Sequence, residues 1–120
     1  MKRWVLLEHT ISSGNTIDIH YDFLVEDKLD CFTWKLNKIP VLGDDSVEIV
    51  KQSNHRLVWL SRIEYQLSRD RGLVRRIDNG TFSEIFYDQE CEELQIKLNG
   101  KLLTGLLTID KNFCQLMKSN

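Results

Sequence analysis

Residues 17–26 alternate without a break. Ile17, Ile19, Tyr21, Phe23 and Val25 fall on one side, and Asp18, His20, Asp22, Leu24 and Glu26 on the other. A period of two is the signature of an extended strand with unlike faces, and a helix cannot satisfy it. Other short strand signals surround it. Trp4–Leu7 is an apolar run, Cys31–Leu36 precedes a loop around Pro40 and Gly43, and Val47–Val50 follows. Ser12-Ser13-Gly14-Asn15 reads as a turn or loop. The pairs Asn79-Gly80 and Asn99-Gly100 read as hairpin turns, because both residue types tolerate positive φ. The first would separate Leu73–Ile77 from Thr81–Tyr87, and the second Leu94–Leu98 from Leu102–Ile109. Leu57, Leu60, Ile63 and Leu67 fit helical spacing about as well as extended chain, so residues 57–67 stay ambiguous. Residues 111–120 are expected to be a short helix or a tail. Seven or eight short strands at this spacing predict a mostly β fold, a small antiparallel barrel or sandwich with little helix.

At 120 residues with one proline, the chain suits a single domain, 1–120. A mass of 14.1 kDa implies a folded surface of about 6,700 Å², so roughly two-thirds of the chain's surface can be buried. A content of 42% apolar and 28% charged residues excludes wholesale disorder. No apolar run is long enough for a membrane-spanning helix, and the start is too weakly apolar for a secretory signal. Cys31, Cys91 and Cys114 form no C-x-x-C pair and no even framework, which fits reduced thiols in a cytoplasm. The net charge of −2 gives no global field for nucleic acid. Locally, residues 56–76 carry six arginines against Glu64 and Asp70, while residues 82–93 carry five acids and no base. Two neighbouring elements with opposite charges toward water would explain this as well as a functional basic patch. Asn79-Gly80-Thr81 is also a formal glycosylation sequon, which the expected turn accounts for.

The polar side of residues 17–26 carries the chemistry. Side chains two apart on a strand share a face, about 6–7 Å apart. His20 and Asp22 therefore project together, with Asp18 one step earlier. An imidazole and a carboxylate so placed can share a divalent cation or hold a phosphate. Taken alone, a single His-x-Asp carries little weight.

A wider pattern adds weight. Glu8-His9 followed by His20-Tyr21-Asp22-Phe23-Leu24-Val25-Glu26 resembles the opening signature of the 3′-phosphoesterase domain of bacterial DNA ligase D, a histidine, a spacer and His-Tyr-Asp-Phe-Arg-Leu-Glu. Leu29–Pro40 is similar to that family's Trp-bearing strand and Pro-containing loop. Asn54-His55 stands where the family has Asp-His-Pro. Ile77–Phe82 and Leu98–Gly105 resemble its later hairpins. The resemblance spans about residues 4–110 and takes in all three histidines. It implies a compact β-barrel with a metal site on a concave face, and Mn²⁺-dependent removal of phosphates and ribonucleotides from DNA 3′ ends. By position, His9, His20 and Asp22 would hold the metal and His55 would act at the phosphate. Two imidazoles and a carboxylate suit Mn²⁺, with Zn²⁺ or Fe²⁺ as alternatives.

The chain departs from that pattern in several places. Leu24 and Val47 stand where the family has phosphate-binding arginines, and neither can form a bidentate anion contact. Trp59 replaces a tyrosine, Arg56 a proline, and the His9–His20 spacing of 11 is several residues longer, with Ser12–Asn15 expected as an extra loop. Arg56, Arg62 or Lys35 would then supply the substrate-binding cations, and Trp59 a stacking surface for a base. Trp4, Trp34, Tyr21, Phe23 and Cys31 are expected in the core. The reading is a phosphoesterase for nucleic-acid 3′ ends, with a ligase or polymerase as a partner in trans. Two others stand beside it, a non-catalytic nucleic-acid or repair-protein binding module and a metal-dependent hydrolase of a small phosphorylated metabolite.

Overall fold

The structure, a computed structural model, describes residues 1–119. Expectations for residues 111–120 at Asn120 therefore lie outside the described residues. Nine strands form it: β1 (Lys2–Ser13), β2 (Thr16–Glu26), β3 (Asp30–Leu36), β4 (Val47–Arg56), β5 (Glu64–Gln66), β6 (Leu73–Asp88), β7 (Glu93–Gly100), β8 (Thr104–Asp110) and β9 (Phe113–Met117). Eight close an antiparallel ring in the order β1-β2-β3-β4-β9-β8-β7-β6, with β6 returning to β1. β5 pairs only with the start of β6, outside the ring. One 3₁₀ turn, Leu57–Leu60, is the whole helical content of the described residues. No helix there is long and apolar enough to cross a membrane. The expected mostly β, barrel-like class is therefore observed.

Side-chain alternation builds two cores on opposite sides of the sheet. Trp4, Leu6, Phe23, Val25, Trp34, Ile49 and Ile96 belong to the cluster that fills the barrel. Val5, Leu7, Leu24, Cys31 and Val74 point outward and are covered by Leu57, Trp59, Leu60 and Leu67 from the connection between β4 and β6. This explains why Trp4–Leu7 is a continuous apolar run, since β1 is buried on both faces. Each fully buried aliphatic side chain contributes about 1.5–3 kcal/mol. Beyond Leu7 and Asp22, the β1–β2 hairpin loses its covering and becomes an arm with Ile17 and Ile19 exposed. The total surface of 7702 Å² exceeds the scaling value of about 6,700 Å² accordingly.

Several sequence expectations need correction. Asn79-Gly80 is no hairpin turn. It lies inside the uninterrupted β6, paired to Val5 and Trp4 on one side. Gly80 is required by crowding, because a Cβ there would collide with the Asn99 carbonyl across the β6–β7 ladder. Asn99-Gly100 does lie at a hairpin, but both residues end β7, and the turn is Lys101–Leu103. A Cβ on Gly100 would strike the Trp4 indole and the Asp78 carboxylate. Residues 113–117, expected as helix or tail, are β9, whose Cys114 and Leu116 enter the core. Residues 57–67 split into the 3₁₀ turn and β5. The basic and acidic segments are not simply two neighbouring elements, because they overlap in one strand: Arg75 and Arg76 lie near the start of β6, and Glu84 and Asp88 toward its end.

The β7–β8 turn is organised by a buried side chain. Asp78 is 4% exposed and accepts hydrogen bonds from four backbone N–H groups: Asn79 (2.9 Å), Lys101 (3.2 Å), Leu102 (2.8 Å) and Leu103 (2.8 Å). Replacing Asp78 by Ala leaves those donors unmatched. Asp78→Ala is expected to lower the unfolding free energy by about 3 kcal/mol, read as a lower urea midpoint at unchanged m-value.

Candidate metal centre

The arm sets the site. β1 and β2 are joined by the two-residue turn Gly14-Asn15, with Gly14 at φ +60°. A positive φ at the first central position matches a type II′ hairpin turn. The ladder then places His9 directly opposite His20 and Leu7 opposite Asp22. The long His9–His20 interval is thus mostly paired strand, and of the expected Ser12–Asn15 loop only Gly14-Asn15 is turn, Ser12 and Ser13 ending β1. These side chains lie on the outer face of the barrel, continuing the line of Leu24 and Leu7.

His9 Nδ1 is 3.1 Å from His20 Nε2, and His20 Nε2 is 3.6 Å from Asp22 Oδ1. One ligand atom from each of the three residues lies within 4.8 Å of the others. Two donors bound at about 2.1 Å to one ion, at 90–109°, stand about 3.0–3.4 Å apart. The imidazole pair matches that spacing, and the carboxylate needs only a small rotation. The second nitrogen of His9 supports the same reading. Nε2–H donates to the Arg71 carbonyl at 2.7 Å, which turns the Nδ1 lone pair toward His20. A backbone carbonyl behind a ligand imidazole is the usual orienting contact at metal sites. His20 Nδ1 is buried without a partner. Burial, with the His9 and Lys35 charges, lowers the His20 pKa against the opposing pull of Asp22 and Asp18. The ring is therefore neutral at pH 7, the form that ligates metal.

A cavity of about 210 Å³ opens beside this group. His9, Asp22, His55, Trp59, Leu67 and Arg71 border it. His9 of β1 and His55 of β4 thus border the same cavity, and His20 of β2 lies against His9 beside it. His55 stands opposite Cys31, and its Nδ1–H donates to the Ser53 carbonyl at 3.2 Å, which leaves Nε2 uncommitted. Its ring meets Trp59 edge-on at 6.3 Å.

The other sequence candidates are distributed less simply. Trp59 borders the cavity, but Arg62 does not. The Arg62 guanidinium lies 4.3 Å from the Trp59 ring centre and 3.9 Å from that of Tyr65. Arg56 is exposed at the end of β4 and does not border the cavity. Lys35 is the cross-strand partner of Asp22, which places it on the same face. Leu24 and Val47 are both buried, 0% and 3% exposed, and neither reaches the cavity. Two contributors escaped the sequence reading. Arg71 acts through its backbone carbonyl, which no side-chain pattern reveals. Tyr65 joins the Arg62 stack from β5, a strand too short to show periodicity. Cys31 and Cys114 are buried thiols pushed up to about 11 and about 12 by desolvation, which makes them inert. No family model matches the chain, and no curated protein matches it.

The lowered His20 pKa has a definite sign in stability. Below about pH 6.5 the unfolded chain takes up a proton that the folded imidazole resists, so acid favours unfolding. Without metal, the urea midpoint is expected to fall as the pH drops from 7.5 to 5.5. In His20→Gln that decline is expected to be shallower.

Proposed function

We propose that the protein is a divalent-metal-dependent phosphoesterase acting on the 3′ ends of nucleic acid, removing a 3′-phosphate or 3′-ribonucleotide. One observation carries the reading: of the residues that the resemblance assigns to the site, His9, Asp22 and His55 border one cavity with Trp59 at its edge, and His20 lies against His9 and Asp22 beside it. His9 Nδ1, His20 Nε2 and an Asp22 oxygen would hold the ion, and Mn²⁺ suits a two-imidazole, one-carboxylate set with open positions, as do Zn²⁺ and Fe²⁺. Bound there, the ion supplies polarisation of a phosphoryl oxygen and a more acidic water.

The chain's own groups do the remaining work. As an imidazolium, with Nδ1–H on the Ser53 carbonyl, His55 donates its Nε2–H to the reacting phosphate and stabilises its charge. Arg71 on the cavity wall and Lys35 across from Asp22 offset the anion in place of the missing arginines. Trp59 and Tyr65, clamping Arg62, present a face on which the terminal base stacks. Arg56 at the end of β4 meets the backbone outside the cavity. The buried thiols suit a reducing cytoplasm, where a ligase or polymerase would act in trans.

A second reading has its own observation. Leu24 and Val47 are sealed in the two cores. Losing two charge-assisted phosphate contacts, each worth about 1.5–3 kcal/mol, weakens transition-state binding steeply. A nucleic-acid binding module without turnover is consistent with that loss.

With Mn²⁺, a 3′-phosphorylated DNA primer is expected to release inorganic phosphate, and chelator or His20→Ala is expected to abolish release. His55→Ala is expected to lower kcat about 100-fold while isothermal titration shows unchanged metal affinity. Chelator-insensitive primer binding with no product identifies the binding module instead.

A further inference from the structure

The barrel is not closed along its whole height. β4 and β9 share two residue pairs, Val47 with Cys114 and Glu48 with Phe113. One further bond runs from the Ile49 N–H to the Asn112 carbonyl at 2.7 Å. From Val50 to Arg56, β4 has β3 on one side and, among the described residues, no strand on the other. Its own side chains partly cover the backbone there: Lys51 Nζ donates to the Gln52 carbonyl at 3.0 Å, and the Gln52 amide reaches the Val50 and Lys51 carbonyls at 3.5 and 3.4 Å. An open strand edge with unpaired backbone groups is a template for another extended segment.

Beside this edge lies a cavity of about 300 Å³, on the side of β4 away from the metal centre. Asn54 borders it, whereas the next residue, His55, borders the metal-centre cavity. Its walls are Phe32, Trp34 and Tyr87, with the Phe32 ring 5.5 Å from Tyr87 and 6.4 Å from Trp34. A cation already sits on these rings. Lys51 Nζ is 5.1 Å from the Trp34 centre and 5.5 Å from that of Phe32, and it makes no ion pair among the described residues. Glu92 and Glu93 border the cavity, Asp30 and Glu92 act on Lys51, and Asp27 and Glu84 act on Tyr87. Lys51 and Lys111 are the opposing bases on the walls. Aromatic faces with surrounding carboxylates select a cation and repel phosphate.

We propose that this seam docks an extended basic peptide segment of a partner protein, which adds as a strand to the open edge of β4 and places one lysine or arginine side chain in the Phe32–Trp34–Tyr87 cavity. Main-chain bonds to β4 supply affinity, and the cavity supplies specificity. Lys51 is the resident occupant that the partner's cation displaces. Glu92 and Glu93, which follow the end of β6 and which the metal centre does not use, set the charge of the partner.

The test uses the full chain and a fluorescein-labelled, end-blocked octapeptide of alternating Thr and Val with one central Lys, followed by fluorescence anisotropy. Lys51→Ala is expected to bind it about fivefold more tightly, because the cavity is vacated. Glu92→Gln with Glu93→Gln, and separately Tyr87→Ala, are expected to weaken binding about fivefold or more. The same peptide with Glu at the centre is expected not to bind. All four substituted side chains are at the surface or the cavity rim, and circular dichroism checks that each variant keeps its β-sheet. The proposal is overturned if Lys51→Ala binds no more tightly than the parent, if the Glu peptide binds equally, or if no peptide binds any variant. It is also overturned if sedimentation shows Lys51→Ala forming a dimer that excludes peptide, since the occupant is then a second copy.

Discussion

The pairing of β1 with β2 governs both the core and the candidate site. A two-residue turn at Gly14-Asn15 leaves one register, and in that register Val5 meets Leu24, Leu7 meets Asp22 and His9 meets His20. A slip by one residue would send every side chain of one strand to the opposite face. The outer hydrophobic cluster would then lose Leu24, and the two imidazoles would part. Burial of Val5, Leu7 and Leu24 beneath Leu57, Leu60 and Leu67 therefore holds the same alignment that brings His9, His20 and Asp22 together. Packing energy, rather than the weak attraction among three polar side chains, maintains the geometry of the site.

The connection between β4 and β6 has two roles for the same reason. It caps the outer cluster with apolar residues, and it carries Trp59, Leu67 and Arg71 to the cavity. Arg71 needs a bend to present its carbonyl to His9. The preceding Arg69 and Asp70 both adopt φ +57°, and Gly72 adopts +104°. A side chain at Gly72 would collide with the Thr10 carbonyl, so the loop passes close to β1 only because that residue is glycine. β6 then runs from one cavity to the other, with Val74 near its start at the metal-centre cavity and Tyr87 near its end at the seam, where Glu92 and Glu93 follow. The two surfaces are thereby separated in position.

Reading from residues to structure succeeded where a signal was local and repeated. The alternation of 17–26, the apolar runs at Trp4–Leu7 and Cys31–Leu36, and the core placement of Trp4, Trp34 and Phe23 needed only periodicity and burial preference. It failed where one residue type serves two physical needs. Asn79-Gly80 has turn chemistry, yet Gly80 is demanded by the approach of the Asn99 carbonyl across a ladder between distant segments. Leu24 was placed on a polar face because its neighbours two away are charged, while a cover from residues 57–67 made that end of the strand apolar.

What the order of amino acids establishes for this chain is a set of strands, their inner faces and the nomination of His9, His20, Asp22 and His55. Those follow from neighbours in sequence and from the resemblance to a family motif. Ring closure, the contact of His9 with His20, the cavity that His9 shares with His55, the carbonyl behind His9 and the gap between β4 and β9 depend on pairings between residues far apart in the chain. Such contacts form only once the entropy of closing long loops has been met by burying both faces of β1. No local pattern encodes that balance, so these features become visible in the folded molecule alone.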